Sequence, residues 1–397
     1  QQTNMNQELV RDLKRINACT RPRTTISTYA LLRYLRPPVT PTIHRIKLTS
    51  CIDAYGENMK RAKRIAAALT SLPTIVATAF ATISAAQAHA ADSDTSVPPE
   101  ITMPGSPDGI PSAGNGPIKL FTYPASVYAL VHPGTNPQGA NNFSCKPREG
   151  QNPVVLLPGT NSDAYASWSM YAPKLTKLGY CVFSPNFNGL KLLPNFAYTG
   201  DIRVSAKAVS GFVDRVLTAT GSKKVDLIGW SQGGGPLPNY YITKLGGDKK
   251  VSKLIALAPS NHGVGPRAVS RFVNESISEA RHKKIEATFA KAHIASYEQQ
   301  LGFSNFNKEL YGNGPVTRPG VKYTVIEGRY DDVVVPFTNA FLNEPGVKNI
   351  LVQDTCRNDH ASHVNFTYDV NVYHMAVNAL DPDHAQPVTC VPQPFIG

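Results

Sequence analysis

Apolar positions in this chain fall into short continuous runs separated by stretches of helical spacing. Pro153 to Leu157, Tyr180 to Phe183, Val225 to Ile228, Val251 to Leu257, Val321 to Ile326 and Asn349 to Val352 have strand character. Between and after them, Tyr171 to Leu178, Ile202 to Thr218 and about Val370 to Leu380 read as helices. The second repeats apolar residues through Val204, Ala208, Phe212, Val213 and Val216. An uninterrupted apolar run such as Val154-Val155-Leu156-Leu157 suits a strand buried on both faces. Strands alternating with helices pair in parallel through right-handed crossovers. The pattern predicts one α/β domain from Ile118 onward, over residues 118–397, with a mostly parallel central sheet flanked by helices.

One segment breaks the alternation. No strand is expected between Gly265 and Gly302. Val269, Phe272, Val273, Ile277 and Ala280 share one helical face, as do Ile285, Phe289 and Ala292, with Arg and Lys opposite. Two readings compete: an ordinary amphipathic surface pair, or a helical cap over about 265–300 that opens at a lipid interface.

The whole chain has a formal charge of +12, which first suggests an anionic partner. The excess sits at the start. Residues 1–90 hold 13 Lys and Arg against 4 Asp and Glu, leaving 27 against 24 for residues 91–397. A balance near +3 removes the charge argument for nucleic acid. Met59-Lys60-Arg61-Ala62-Lys63-Arg64, an uncharged apolar stretch from Ile65 to Ile83, and small residues from Ala86 to Ala90 make a secretory signal over 59–90. Pro73 and the Ala/Thr content argue against a membrane span. A signal must begin the translated product, so translation is expected from Met59, with 1–58 a non-native upstream extension. Residues 91–117, rich in Pro, Gly, Ser and Asp, read as a flexible leader. Cys19 and Cys51 lie in the upstream part. The other four, Cys145, Cys181, Cys356 and Cys390, form an even set that in an exported chain (extracellular or periplasmic) implies two disulfides, with three connectivities open.

The chemistry centres on Gly229-Trp230-Ser231-Gln232-Gly233-Gly234, directly after a strand and before a helix-capable stretch. This is the order of a nucleophile elbow, in which a serine sits on a strained turn with its hydroxyl exposed. Side chains at Gly229 or Gly233 would crowd such a turn. A serine nucleophile needs a base, and the base an orienting acid. The acid belongs on a loop after a later strand, where Asp331 and Asp332 both qualify. The base must follow. His360 and His363 lie in the loop after the last strand, His374 within the final helix, and His384 near the tail. An oxyanion hole also needs a donor after an early strand, where Leu157-Pro158-Gly159-Thr160-Asn161 stands. A backbone N–H near Thr160 would pair with that of Gln232, and the threonine hydroxyl would add a third donor.

These segments, together with Asn136-Pro137-Gln138-Gly139-Ala140-Asn141, Ala258-Pro259-Ser260-Asn261-His262-Gly263, Gln299-Gln300-Leu301-Gly302, Tyr330-Asp331-Asp332-Val333-Val334-Val335-Pro336 and His363-Val364-Asn365-Phe366, resemble the secreted triacylglycerol lipases and esterases of the α/β-hydrolase fold, including the fungal lipase B type. The resemblance spans roughly Asn136 to Pro382. It implies Ser231, Asp331 and His363 as the catalytic residues, with His360 in reserve, and Thr160 and Gln232 at the oxyanion hole. It also implies the pairings Cys145–Cys181 and Cys356–Cys390. The expected activity is carboxylic ester hydrolysis without metal or organic cofactor. The expected partner is the ester substrate, lipid or other, met by a monomeric chain with transient contact to a lipid interface. A polyester depolymerase, an acyltransferase and a silent hydrolase-fold binding protein are the rival readings. Two features depart from the family. Pro158 replaces the histidine of many bacterial relatives, and Gly235-Pro236-Leu237-Pro238 is rigid for a helix start, with Pro238 expected to distort it. The cap segment also matches the family poorly.

Overall fold

The structure is a computed structural model that describes residues 101–265 and 278–396. The upstream extension 1–58, the signal 59–90, Cys19, Cys51, residues 91–100 of the leader and cap residues 266–277, with Val269, Phe272, Val273 and Ile277, lie outside the described residues.

Six strands form one sheet: β1 (Val154–Leu157), β2 (Val182–Phe183), β3 (Val225–Trp230), β4 (Val251–Leu257), β5 (Lys322–Glu327) and β6 (Val347–Leu351). Their spatial order is β2-β1-β3-β4-β5-β6, and every pairing is parallel. The continuous apolar runs have the physical cause expected of them. Alternate residues of a strand point to opposite faces, and both faces here are covered. Val155, Leu157, Leu227, Leu254 and Val325 join a core under the helices Ile202–Thr220, Pro236–Lys244 and Asn305–Tyr311. Val154, Leu156, Ile228, Trp230, Leu257 and Ile326 join the opposite core under Ala164–Trp168, Tyr171–Lys177 and Val370–Leu380.

The helix Ile202–Thr220 runs from the Asp201 side chain, which accepts the Arg203 N–H at 2.7 Å, to Gly221 at φ +75°. Its buried stripe is Ile202, Ala206, Val209, Phe212, Val213 and Val216. Val204, expected on that stripe, faces solvent, because it lies two residues, about 200°, around the helix from Ile202. The helix Pro236–Lys244 forms without the distortion expected from Pro238. Pro236 and Pro238 occupy its first turn, where backbone N–H groups have no intrahelical acceptor.

Residues 101–117, read from composition as leader, lie against the domain. Ile101 and Met103 are buried, the Ile101 carbonyl accepts the Asn188 N–H at 2.9 Å, and that of Gly109 accepts the Asn186 N–H at 2.9 Å. A few apolar residues within a polar stretch suffice to anchor it. Cys145 pairs with Cys181 and Cys356 with Cys390. The first bond ties the segment before β1 to the start of β2, and the second staples the tail to the loop after β6. The closed loops span 36 and 34 residues, so each bond contributes on the order of 3–4 kcal/mol by chain entropy. No helix among the described residues is long and apolar enough to cross a membrane.

Candidate active site

Ser231 follows the last residue of β3, at φ +56°, and opens a single 3-10 turn to Gly233 before the chain enters Pro236–Lys244. Two glycines make this turn physically accessible. A Cβ on Gly229 would lie 1.7 Å from the Gly233 carbonyl oxygen, and one on Gly233 would lie 2.3 Å from the carbonyl oxygens of Leu157 and Pro158. No side chain fits at either position. The turn holds Ser231 on the rim of the sheet's C-terminal edge, 7 % exposed.

Asp331 stands four residues past the end of β5, and His363 opens the 3-10 segment His363–Tyr368 beyond β6. The structure brings both to Ser231. His363 Nδ1 is 2.6 Å from Asp331 Oδ2, and His363 Nε2 is 2.9 Å from Ser231 Oγ. A carboxylate offers only acceptors, so Nδ1 carries the proton and Nε2 is left to accept the serine hydroxyl. The other Asp331 oxygen accepts the N–H groups of Val333 at 2.8 Å and Val334 at 2.6 Å, which fixes the carboxylate. Asp332 is exposed, and its carboxylate accepts the His363 backbone N–H at 3.1 Å. His360 is not part of this chain. Its ring packs edge-on against Tyr330, at 4.5 Å between centroids. His374 is exposed on the final helix, and His384 pairs with Asp381 in solvent.

Thr160 follows β1, and its hydroxyl accepts the Gln232 side-chain N–H at 2.8 Å. Gln232 is fully buried, and its backbone N–H belongs to the first turn after β3, which has no intrahelical acceptor. Thr160 and Gln232 thus meet beside Ser231.

A family model for the α/β hydrolase fold matches residues 152–322. With six parallel strands and a serine on a tight turn after β3, this decides the architecture. The chain has the α/β-hydrolase fold. Over 153 residues it is 29% identical to lipase B of Pseudozyma antarctica, a match covering 38% of this chain and 40% of that protein's length. Among solved structures, lipase B of Aspergillus fumigatus aligns over 64% of this chain and 56% of its own, at 22% identity and TM-score 0.47. Carboxylesterase CesB of Bacillus subtilis aligns over 66% of this chain and 97% of its own, at 13% identity and TM-score 0.36.

Several residues of this α/β-hydrolase site escape sequence reasoning. Trp230 donates its indole N–H to the His363 carbonyl at 3.1 Å, locking the histidine loop to β3. Glu327, fully buried at the end of β5, accepts the Gly328 N–H. Burial, and then the neighbouring Asp331 charge, holds its carboxyl well above the usual range, which favours the neutral acid. Gln300 donates to Thr160 Oγ1 at 2.8 Å, so the end of the expected cap is in fact part of the site's hydrogen bonding. The helix Thr122–Val131 also went unforeseen. Thr122 Oγ1 donates to the carbonyl of Val364 at 2.6 Å, placing the helix against the histidine loop, while Phe121, Val127 and Val131 face solvent. Its composition is apolar nearly throughout, so helical period was the only available signal, and that signal is weak.

Proposed function

We propose that the protein is a serine-dependent carboxylic ester hydrolase acting on acylglycerol-type lipid esters. Ser231 Oγ attacks the ester carbonyl. His363 Nε2 takes its proton and returns it to the leaving alcohol, while Asp331 orients the ring and stabilises the imidazolium. The backbone N–H groups of Thr160 and Gln232, with the Thr160 hydroxyl, stabilise the tetrahedral oxyanion. Water then enters, deprotonated by His363, and releases the acid from the acyl-enzyme.

The observation that carries this reading is the continuous hydrogen-bonded chain Asp331–His363–Ser231, at 2.6 and 2.9 Å, on a serine held at positive φ. Two facts support the lipid part: the similarity to lipase B of Pseudozyma antarctica, and the exposed apolar residues of Thr122–Val131 beside the histidine loop. The disulfides support export, with residues 59–90 as its signal and 1–58 upstream of the translated start. The segment 265–300 is read as the cap.

A fluorophosphonate probe tests the serine. It should label the parent and leave Ser231→Ala unlabelled; an unlabelled, inactive parent overturns the reading in favour of a silent binding protein. A series of nitrophenyl esters of increasing acyl length tests the substrate. Activity confined to the shortest acyl groups removes the lipid assignment and leaves the esterase one.

A further inference from the structure

Thr160 Oγ1 is contacted by two amide groups from distant parts of the chain. Gln232 Nε2 donates to it at 2.8 Å and to the Tyr198 carbonyl at 2.9 Å. Gln300 Nε2 donates to it at 2.8 Å and to the Ser296 carbonyl at 3.0 Å. Neither amide can be turned over. The second contact of each nitrogen is a backbone carbonyl, which would repel an amide oxygen. For Gln300 the other end is fixed as well, because Ser260 Oγ donates to its Oε1 at 2.8 Å. Gln300 and Ser260 are buried at 6 % and 0 % exposure, so water does not compete for these bonds.

A threonine hydroxyl has two lone pairs and one proton. Two N–H donors occupy both lone pairs, so the proton is left free to donate. No acceptor within the described residues takes it. Thr160 itself is half-buried, on the loop beside Ser231. A freely rotating hydroxyl would spend part of its time as an acceptor, facing a developing oxyanion with the wrong end of its dipole. A hydroxyl saturated as an acceptor cannot. Preorganised donors lower a barrier because no reorientation is required during reaction.

We propose that Gln300 is a positioning residue for the oxyanion site, acting with the Gln232 side chain to commit the Thr160 hydroxyl proton to the substrate oxyanion. The proposal rests on the ester-hydrolase reading above. It also gives the end of the 278–300 segment a role separate from covering the site.

The test is a double-mutant cycle on a soluble nitrophenyl ester. Thr160→Val removes the hydroxyl and keeps the backbone N–H; kcat should fall by about 100-fold, the usual loss for one oxyanion donor. Gln300→Met fills the same space without a donor. In the parent background it should lower kcat by about 10-fold with KM unchanged, and weaken inhibition by a trifluoromethyl ketone, whose hemiketal carries the oxyanion, by the same factor. In the Thr160→Val background Gln300→Met should change kcat by less than about 2-fold, because no hydroxyl remains to be oriented. A merely structural role would produce the same loss in both backgrounds, and that result overturns the proposal, as does a parental kcat in Gln300→Met. If Gln300→Met does not fold, Gln300→Leu carries the test by removing the donor with a different apolar side chain. A loss of kcat that vanishes in Thr160→Val supports the proposal, and an unchanged kcat or an equal loss in both overturns it. Fluorophosphonate labelling of the parent separates the two readings. A labelled parent with an indifferent Gln300 removes only the positioning role, whereas an unlabelled one removes the hydrolase reading beneath it.

Discussion

The turn that carries Ser231 and the helix Glu279–Lys291 lie at opposite extremes of constraint. From Val225 to Asn239 every residue is buried, and the backbone at Gly229 and Gly233 passes so close to its neighbours that no side chain fits. In Glu279–Lys291 only His282 is buried; Ile285 and Phe289 are half-buried, and the Lys283–Glu279 ion pair is exposed. The first region holds one atom, the serine oxygen, 2.9 Å from His363 Nε2. The second region lies largely in solvent, where variation is tolerated. A local steric requirement writes itself into the sequence as an obligatory residue type, whereas a solvent-facing helix leaves only an amphipathic pattern.

The largest expected effect strikes the tightly held region. Ser231→Ala or His363→Ala should lower kcat by on the order of 10⁴–10⁶-fold while leaving thermal stability near the parent's. His360→Ala, which touches Tyr330 rather than Ser231, should keep most activity. Nitrophenyl ester turnover and a melting curve for each variant provide the check. Activity retained by His363→Ala and lost by His360→Ala would exchange the roles of the two histidines.

Stability should follow the same division. Gly229→Ala forces its Cβ to 1.7 Å from a backbone oxygen that cannot retreat without opening the elbow, so the loss should be about 4 kcal/mol or more. Gly211 lies on the exposed face of Ile202–Thr220, and among the described residues a Cβ there would meet nothing within 4 Å beyond its own stretch of helix backbone. Gly211→Ala should therefore stabilise by about 0.5–1 kcal/mol, by restricting the unfolded chain. Equal effects from the two substitutions, measured by denaturant unfolding, would break the contrast.

The same steric contrast bears on what was legible. The sheet could be read because a strand buried on both faces has no polar alternation to blur it, and the elbow because Gly229 and Gly233 admit no substitute. Spacing alone left Asp331 and Asp332 open, and the resemblance chose between them. The geometry separates their parts: Asp331 takes the imidazole, and Asp332 takes the backbone of the same residue. Gln300 and Trp230 were not legible. Their partners lie 140 and 133 positions away, and contacts across such separations leave no period in the sequence. The segment expected to end at about residue 300 holds both the exposed helix 279–291 and the stretch 294–300, which is buried except at Tyr297; the helical spacing read from the sequence did not distinguish them.

A smaller effect should appear in pH dependence. Asp163 caps Ala164–Trp168 through one carboxylate oxygen, which accepts the Ala166 N–H at 2.7 Å, while the other has no partner among the described residues. Burial raises its pKa to about 7, against the opposing pull of that N–H. The unfolded carboxyl titrates near 3.9. Between those values the folded protein holds a proton that the unfolded chain has released. This contribution is therefore fully present below about pH 4, declines as pH rises, and is gone above about pH 7. Asp163→Asn keeps the capping oxygen and cannot ionise. Relative to the parent it should gain on the order of 3–4 kcal/mol between pH 4 and pH 8. Parallel stability curves for parent and variant over that interval would show that Asp163 ionises in the folded state as readily as in the unfolded one.

The smallest effects belong to the helix Glu279–Lys291, and they sharpen the comparison most. Ile285 and Phe289 are the apolar residues of Glu279–Lys291 that are partly withdrawn from water. If the helix only covers, replacing both with Ser should cost about 1 kcal/mol or less per site, because each gives up only part of a buried side chain's transfer free energy. Hydrolysis of a small soluble ester should stay within about 2-fold of the parent. The informative measurement is rate against substrate concentration through the point where a longer-chain ester aggregates. A cap whose apolar face turns toward lipid gives the parent a sharp rise there, since burying that face is favourable only where an apolar phase exists. The double Ser variant should blunt the rise and leave the soluble rate alone. Smooth saturation in both proteins would make Glu279–Lys291 a fixed cover. A fall in the soluble rate as large as that expected for Gln300→Met would carry the constraint of the elbow into the helix itself and erase the distinction between the two regions.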